Sequence, residues 1–205
     1  MTLKNSIVFT PVTGRAEDGA RGSPDVQAVL PGQRLGSAIG AVFGVIYVEV
    51  NAGALPPAIS GVVRIVGVVL FAAVAALLVV GRHGSLSAEG PRRQGFGRGY
   101  WVVVVVEVAA IVVGARVLSG PAGLPDGVVA WISVVVGVHF VALAAVWRLP
   151  FYRILGAAIA LCGVAGLVAA GAGASNAVVA GTGGVIPGAL LLVSGCWGAG
   201  RALTV

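Results

Sequence analysis

Apolar stretches of about the twenty residues needed to cross a bilayer recur along this chain, and they leave little freedom in what it can fold into. They fall at 35–55, 59–80, 100–118, 128–147, 152–173 and 177–200. Breakers separate them: Pro56-Pro57, the stretch 81–99, Pro121 and Pro125, Pro150, and 171–176. In lipid only a helix or a closed barrel satisfies every backbone N–H and C=O. Barrel strands alternate polar and apolar residues, and the run Val102 to Val106 does not. The sequence therefore predicts an all-α, polytopic integral membrane bundle of six transmembrane helices over residues 35–205, preceded by a disordered cytoplasmic tail at 1–34.

Composition agrees with the pattern. Only 10% of the 205 residues are charged and 58% are hydrophobic, against about 25% charged in soluble domains. That excludes a soluble enzyme. The net charge of +6 comes without a basic patch interleaved with aromatics, so no nucleic-acid partner is expected. Two Cys at different depths, Cys162 and Cys196, make neither a disulfide nor a metal framework, and no metal site or cofactor is expected. The 33 Gly scattered through the apolar runs suit closely packed membrane helices.

Lys and Arg set the orientation. Eleven of the thirteen lie in the tail, the second and fourth connections and the C-terminal end; the other three connections have none. Both termini are thus expected in the cytoplasm, and the protein in the cell membrane as a multi-pass chain. Tyr100, Trp101, Trp147, Tyr152 and Trp197 fall at the same boundary, as an aromatic belt does. Asn51 and Asn176 fall near the opposite boundary, where capping or hydrating helix ends is the expected role. Pro187 should kink the sixth span, because it has no N–H to give Gly183.

Five ionisable residues lie within the spans: Glu49, Arg64, Glu107, Arg116 and His139. Such residues are costly in hydrocarbon, and each is a functional candidate. At a rise of about 1.5 Å per residue, Glu49 and Arg64 stand roughly 7 and 8 Å from mid-membrane on the same side. On antiparallel neighbours they should form an ion pair, with Arg64 in a structural role. Glu107 and His139 both stand within about 4 Å of the centre and make a second level pair. Arg116 lies nine residues after Glu107, on the opposite helix face, and is near enough to the surface to snorkel.

A carboxyl in hydrocarbon favours its neutral form, and a neutral acid in a dry site is a proton donor. In size, all-helical apolar build and two intramembrane acids, residues 35–200 resemble the small integral-membrane terpene cyclases of bacterial indole-terpenoid and fungal meroterpenoid pathways. The resemblance implies protonation of an epoxide or alkene on a lipophilic prenylated substrate, followed by carbocation ring closure. Glu107 would then be the acid, with His139 tuning it or removing the final proton, and Glu49 a second acid. Trp131, Phe140 and Tyr47 would face the cation. No DxDD run and no Asp-rich diphosphate motif is present. Two other readings fit the same polar groups. One is a small proton-coupled transporter or channel subunit, which with six spans would work as a homo-oligomer; the other is a non-catalytic accessory protein whose polar pairs fix helix register.

Overall fold

The computed structural model describes residues 31–83, 98–147 and 150–201. Most of the expected tail, residues 1–30, lies outside them, as do the side chains of Tyr100 and Trp147. Every regular element is helical: α1 (Pro31–Ala52), α2 (Pro57–His83), α3 (Arg98–Ser119), a 3₁₀ turn (Pro125–Gly127), α4 (Val128–Trp147), α5 (Pro150–Gly171), and a last rod built of α6 (Asn176–Ala180), a π turn (Gly181–Val185) and α7 (Ile186–Arg201). Five of the six rods are long and apolar enough to cross a membrane; the apolar part of α1, Gly36–Ala52, is shorter. The chain is a multi-pass membrane protein.

Proline and glycine set the boundaries as their geometry requires. Pro31, Pro57 and Pro150 each occupy the first helical position, where the missing N–H has no helical acceptor to lose and the fixed φ is already helical. The helix α1 therefore starts four residues before the expected span and ends three before it. At that end Ala54 N–H and Leu55 N–H turn back onto the carbonyls of Asn51 and Ala52. Gly173 closes α5 with φ +72. Its N–H donates to Ala170 O and the Ala174 N–H to Ala169 O, at 3.0 and 2.9 Å. This is a Schellman cap, and the left-handed residue at its centre is one that a side chain would strain.

The rods form an arc in the spatial order α3, α4, α5, α6–α7, α1, α2, with the π turn at its centre against α1, α4 and α5. Lipid surrounds apolar side chains as readily as protein does, so backbone approach between small residues carries the packing. Gly137 of α4 and Gly156 of α5 face one another: a Cβ on Gly156 would stand 2.5 Å from Gly137 O. Further along, a Cβ on Gly163 would stand 2.6 Å from Ala130 O. The α1–α7 contact repeats the device, with Gly44 and Gly188 each lying under the other's carbonyl, 2.9 and 2.8 Å from where a Cβ would be. Between these backbone contacts Val48, Val74, Ile159, Leu191 and Leu192 are fully buried.

Just before Pro187 the last rod departs from α-helical hydrogen bonding. Ile186 N–H reaches back five residues to Gly181 O instead of four, a π-type widening of the kind that relieves an interrupted ladder. Gly183, four residues before the proline, loses its α-helical donor. Ser133 of α4 supplies another, its Oγ donating to Gly183 O at 2.6 Å.

Gly137→Ala should lower stability by about 1–3 kcal/mol, because the added methyl group forces α4 and α5 apart. Gly61→Ala, on a face of α2 with no atom within 4 Å of the new Cβ, should raise it by up to about 1 kcal/mol through helix propensity alone. Reversible unfolding in mixed micelles measures both.

Candidate functional site

The polar groups within the membrane gather into two separate pairs. At mid-span, Glu107 of α3 and His139 of α4 meet with Oε2 2.9 Å from Nδ1. Both side chains are mostly enclosed, 18% and 14% exposed respectively. The separation is that of a charge-assisted hydrogen bond, but the carboxylate oxygen lies off the line of the ring N–H, so Nδ1 has no aligned partner. The pair therefore has two forms, separated by one proton moved over a short gap. With the proton on the ring it is an ion pair; with it on the carboxyl it is a neutral acid beside a neutral imidazole.

Tyr47 of α1 approaches from the third side. Its hydroxyl lies beside Ser133 and within electrostatic reach of Glu107, and it is buried with no hydrogen-bond partner of its own. Tyr47 and Ser133 connect the pair to the π turn, because Ser133 also holds Gly183 O. The pair itself joins α3 to α4, and Ser133 ties α4 to the π turn.

Trp131 and Phe140 are positioned by contacts with α3 and α5. The Trp131 Nε1–H donates to Ala110 O of α3 at 2.9 Å. Its pyrrole edge fills the space over Gly114, where any Cβ would collide with Nε1 and Cε2. The indole fastens α3 to α4 one or two turns from Glu107. Phe140 turns toward α5, stacked on Tyr152 at 5.9 Å with an interplanar angle of 10°, and packs beside the core of Leu155, Ile159 and Leu191. His139 and Phe140 lie roughly perpendicular, with ring centroids 6.0 Å apart.

The second pair is looser. Arg64 Nη1 of α2 stands 3.9 Å from Glu49 Oε2 of α1. The depth argument brings these two together, but it does not bring Glu49 to the Glu107 pair: two positions apart on α1, Tyr47 faces α4 while Glu49 faces α2. Asn51 is the last residue but one of α1, as its depth implies, and it is buried. Its Nδ2–H donates to Tyr47 O at 2.7 Å, and the amide occupies the space above Gly184, which a Cβ would fill. Asn51 and Ser133 are the polar residues that depth alone did not single out. The signal for Ser133 was Pro187, whose freed carbonyl needs a donor.

An aliphatic cavity of about 180 Å³ lies between α1, α2 and α7. Cys162 and Cys196 are both free thiols. Among the described residues no group of three His, Cys, Asp or Glu side chains converges as a metal site would require. No family model, curated protein or solved structure matches this chain.

A double-mutant cycle tests whether Glu107 and His139 act as one unit. Glu107→Gln and His139→Gln should be non-additive in unfolding free energy, with a coupling of about 1–3 kcal/mol. Additivity within error would mean that the two side chains sit near each other without interacting.

Proposed function

We propose that Glu107 and His139 are a proton-transfer pair working inside the membrane, and that the protein is an acid–base catalyst of the terpene-cyclase kind acting on a lipophilic prenylated substrate. The observation that carries this reading is the 2.9 Å approach of a carboxylate and an imidazole at mid-span, on a helix that buries little of itself and is open to molecules arriving from the bilayer. In the neutral form Glu107 gives its proton to an epoxide oxygen or an alkene carbon. The resulting cation is attacked by the next double bond of the prenyl chain and a ring closes. The final cation loses a C–H proton to His139, and His139 returns it to Glu107 across the short gap. Substrate and product are isomers, and the pair ends as it began. The aliphatic surroundings of Val and Ala have no lone pair to trap a cation. Tyr47, whose hydroxyl is within electrostatic reach of Glu107, is the aromatic residue we assign to stabilising one.

Glu107→Gln removes the transferable proton in a nearly isosteric side chain. Conversion of a prenylated epoxide by membranes carrying the variant should fall by about 10²–10⁴-fold, the usual contribution of general acid catalysis, while the protein still inserts and folds. His139→Gln should slow turnover less, through regeneration of the acid. Full activity in Glu107→Gln would remove this residue from the mechanism.

The π turn and Pro187 favour a second reading. Irregular backbone inside a membrane, close to a carboxylate and a histidine, is also how proton-coupled transporters build their sites. Reconstitution into liposomes with a trapped pH dye separates the two: uptake or release of protons dependent on Glu107, with no conversion of any prenyl substrate, is the transporter's result.

We place both termini in the cytoplasm and the protein in the cell membrane, on the strength of the Lys and Arg split between connections. A single cysteine introduced at Gly123, in a variant lacking Cys162 and Cys196, should react with an impermeant thiol reagent added to intact cells. One at Ser87 should react only after the cells are opened.

A further inference from the structure

The Glu49 and Arg64 pair remains outside the proton chemistry. Its two side chains are the exposed ones, 34% and 47% respectively. Their separation of 3.9 Å is about 1 Å longer than a charge-assisted hydrogen bond, so Arg64 is attracted to Glu49 without giving it an N–H. Glu49 Oε1 is buried against α2 beside Gly67 with no hydrogen-bond partner, so Oε2, on the Arg64 side, is the oxygen left for a ligand. The guanidinium reaches toward the α1–α2 turn: a Cβ on Gly53 would stand 3.3 Å from Nη2. Here, then, are a cation and an anion side by side, Glu49 three residues before the end of α1 and Arg64 seven residues into α2 with its guanidinium extended toward the turn.

The aliphatic cavity adjoins them. Its walls include Val48 of α1, Val63, Val66, Gly67 and Leu70 of α2, and Leu192 of α7. Gly67 is the junction: a Cβ there would stand 2.8 Å from Val48 and 3.8 Å from Glu49 Oε1. The charged pair therefore sits at the rim of an apolar slot that continues along α2 toward mid-membrane. An aliphatic slot with a paired acid and base at its rim matches a molecule with an aliphatic tail and a zwitterionic head.

We propose that this is a binding site for a phospholipid with a primary ammonium headgroup. Its phosphate takes the Arg64 guanidinium, which offers donors in a fork suited to phosphate. Its ammonium donates to Glu49, and one acyl chain lies in the slot. The charges select this headgroup over others. Arg64 and Glu49 cancel, so an anionic lipid is attracted by one and repelled by the other. A trimethylammonium headgroup carries the same charges but has no N–H to offer Glu49. The site is independent of the proton-transfer pair, which lies on the α4 side of α1.

The experiment is a competition on the whole protein, reconstituted with equal amounts of phosphatidylethanolamine, phosphatidylcholine and phosphatidylglycerol of matched chains, followed by native mass spectrometry of the lipids retained. Phosphatidylethanolamine should be retained about tenfold over either competitor, the scale of one hydrogen bond to a charged group. Arg64→Gln and Glu49→Gln should each abolish the preference while some lipid is still retained. Val66→Phe, at a lipid-facing wall of the slot, should reduce retention of all three. Equal retention of phosphatidylethanolamine and phosphatidylcholine by the unaltered protein would overturn the proposal, as would a preference for phosphatidylglycerol. Unchanged retention in Val66→Phe would show that the chain lies elsewhere.

Discussion

In hydrocarbon a backbone carbonyl that loses its helical donor has no water to turn to, and the centre of this bundle is organised around one such carbonyl. Pro187 takes the donor from Gly183, and Ser133 replaces it at 2.6 Å. For Ser133 to reach, α4 must lie directly against the π turn. That contact is open only to small residues: a Cβ on Gly183 would press on Ala130 at 2.7 Å, and one on Gly166 would do so at 2.8 Å. The glycines of α4, α5 and the last rod thus have one common cause, which is the approach of three backbones to within side-chain-free contact. Asn51 over Gly184 brings α1 to the same junction.

The helix carrying Glu107 is held differently. The apolar window of α3 buries none of its residues, and the rod packs on α4 and the 3₁₀ turn. Three contacts hold its register: the Trp131 hydrogen bond to Ala110, the indole seated on Gly114, and the pairing of Glu107 with His139. One of the three is itself ionisable. Moving a proton from the ring to the carboxyl weakens an attachment of the least buried helix, so chemistry at Glu107 and the position of α3 are coupled by construction. Under the proposed function, a substrate arriving beside α3 would reach Glu107 without opening the closely packed α4–α5 contact.

The helices and both polar pairs were legible in the sequence because they depend on quantities that add along a chain. Twenty apolar residues cross a membrane whatever their neighbours, and a rise of about 1.5 Å per residue converts position into depth. Residues at one depth on antiparallel neighbours then become candidates to meet. Azimuth was not legible. Depth treats Tyr47 and Glu49 as companions, whereas two residues of helix send them to α4 and α2. Nor did depth show that Phe140 stacks on Tyr152 of α5 or that Trp131 donates to Ala110 of α3. Asn51 read as a helix end because its depth is that of an end; its burial comes from a glycine 133 positions later in the chain, Gly184. Which face a side chain takes depends on the arc order of the rods, and no span carries that order in its own residues.

The two pairs have the same chemical elements, a carboxylate and a base, yet their surroundings suit them to opposite tasks. Arginine does not give up its proton at any accessible pH, so the Glu49 pair can only exchange one charged partner for another. Its exposure and its gap of 3.9 Å leave room for that exchange. Imidazole both takes and returns a proton, and at 2.9 Å in a mostly enclosed setting the Glu107 pair has the geometry that the proposed transfer needs. Swapping the bases would defeat both proposed roles: arginine at 139 has no lone pair to take a proton, and histidine at 64 lacks the guanidinium fork suited to phosphate. The choice of base, more than the presence of two acids, is what separates a site for proton transfer from a site for recognition in this membrane domain.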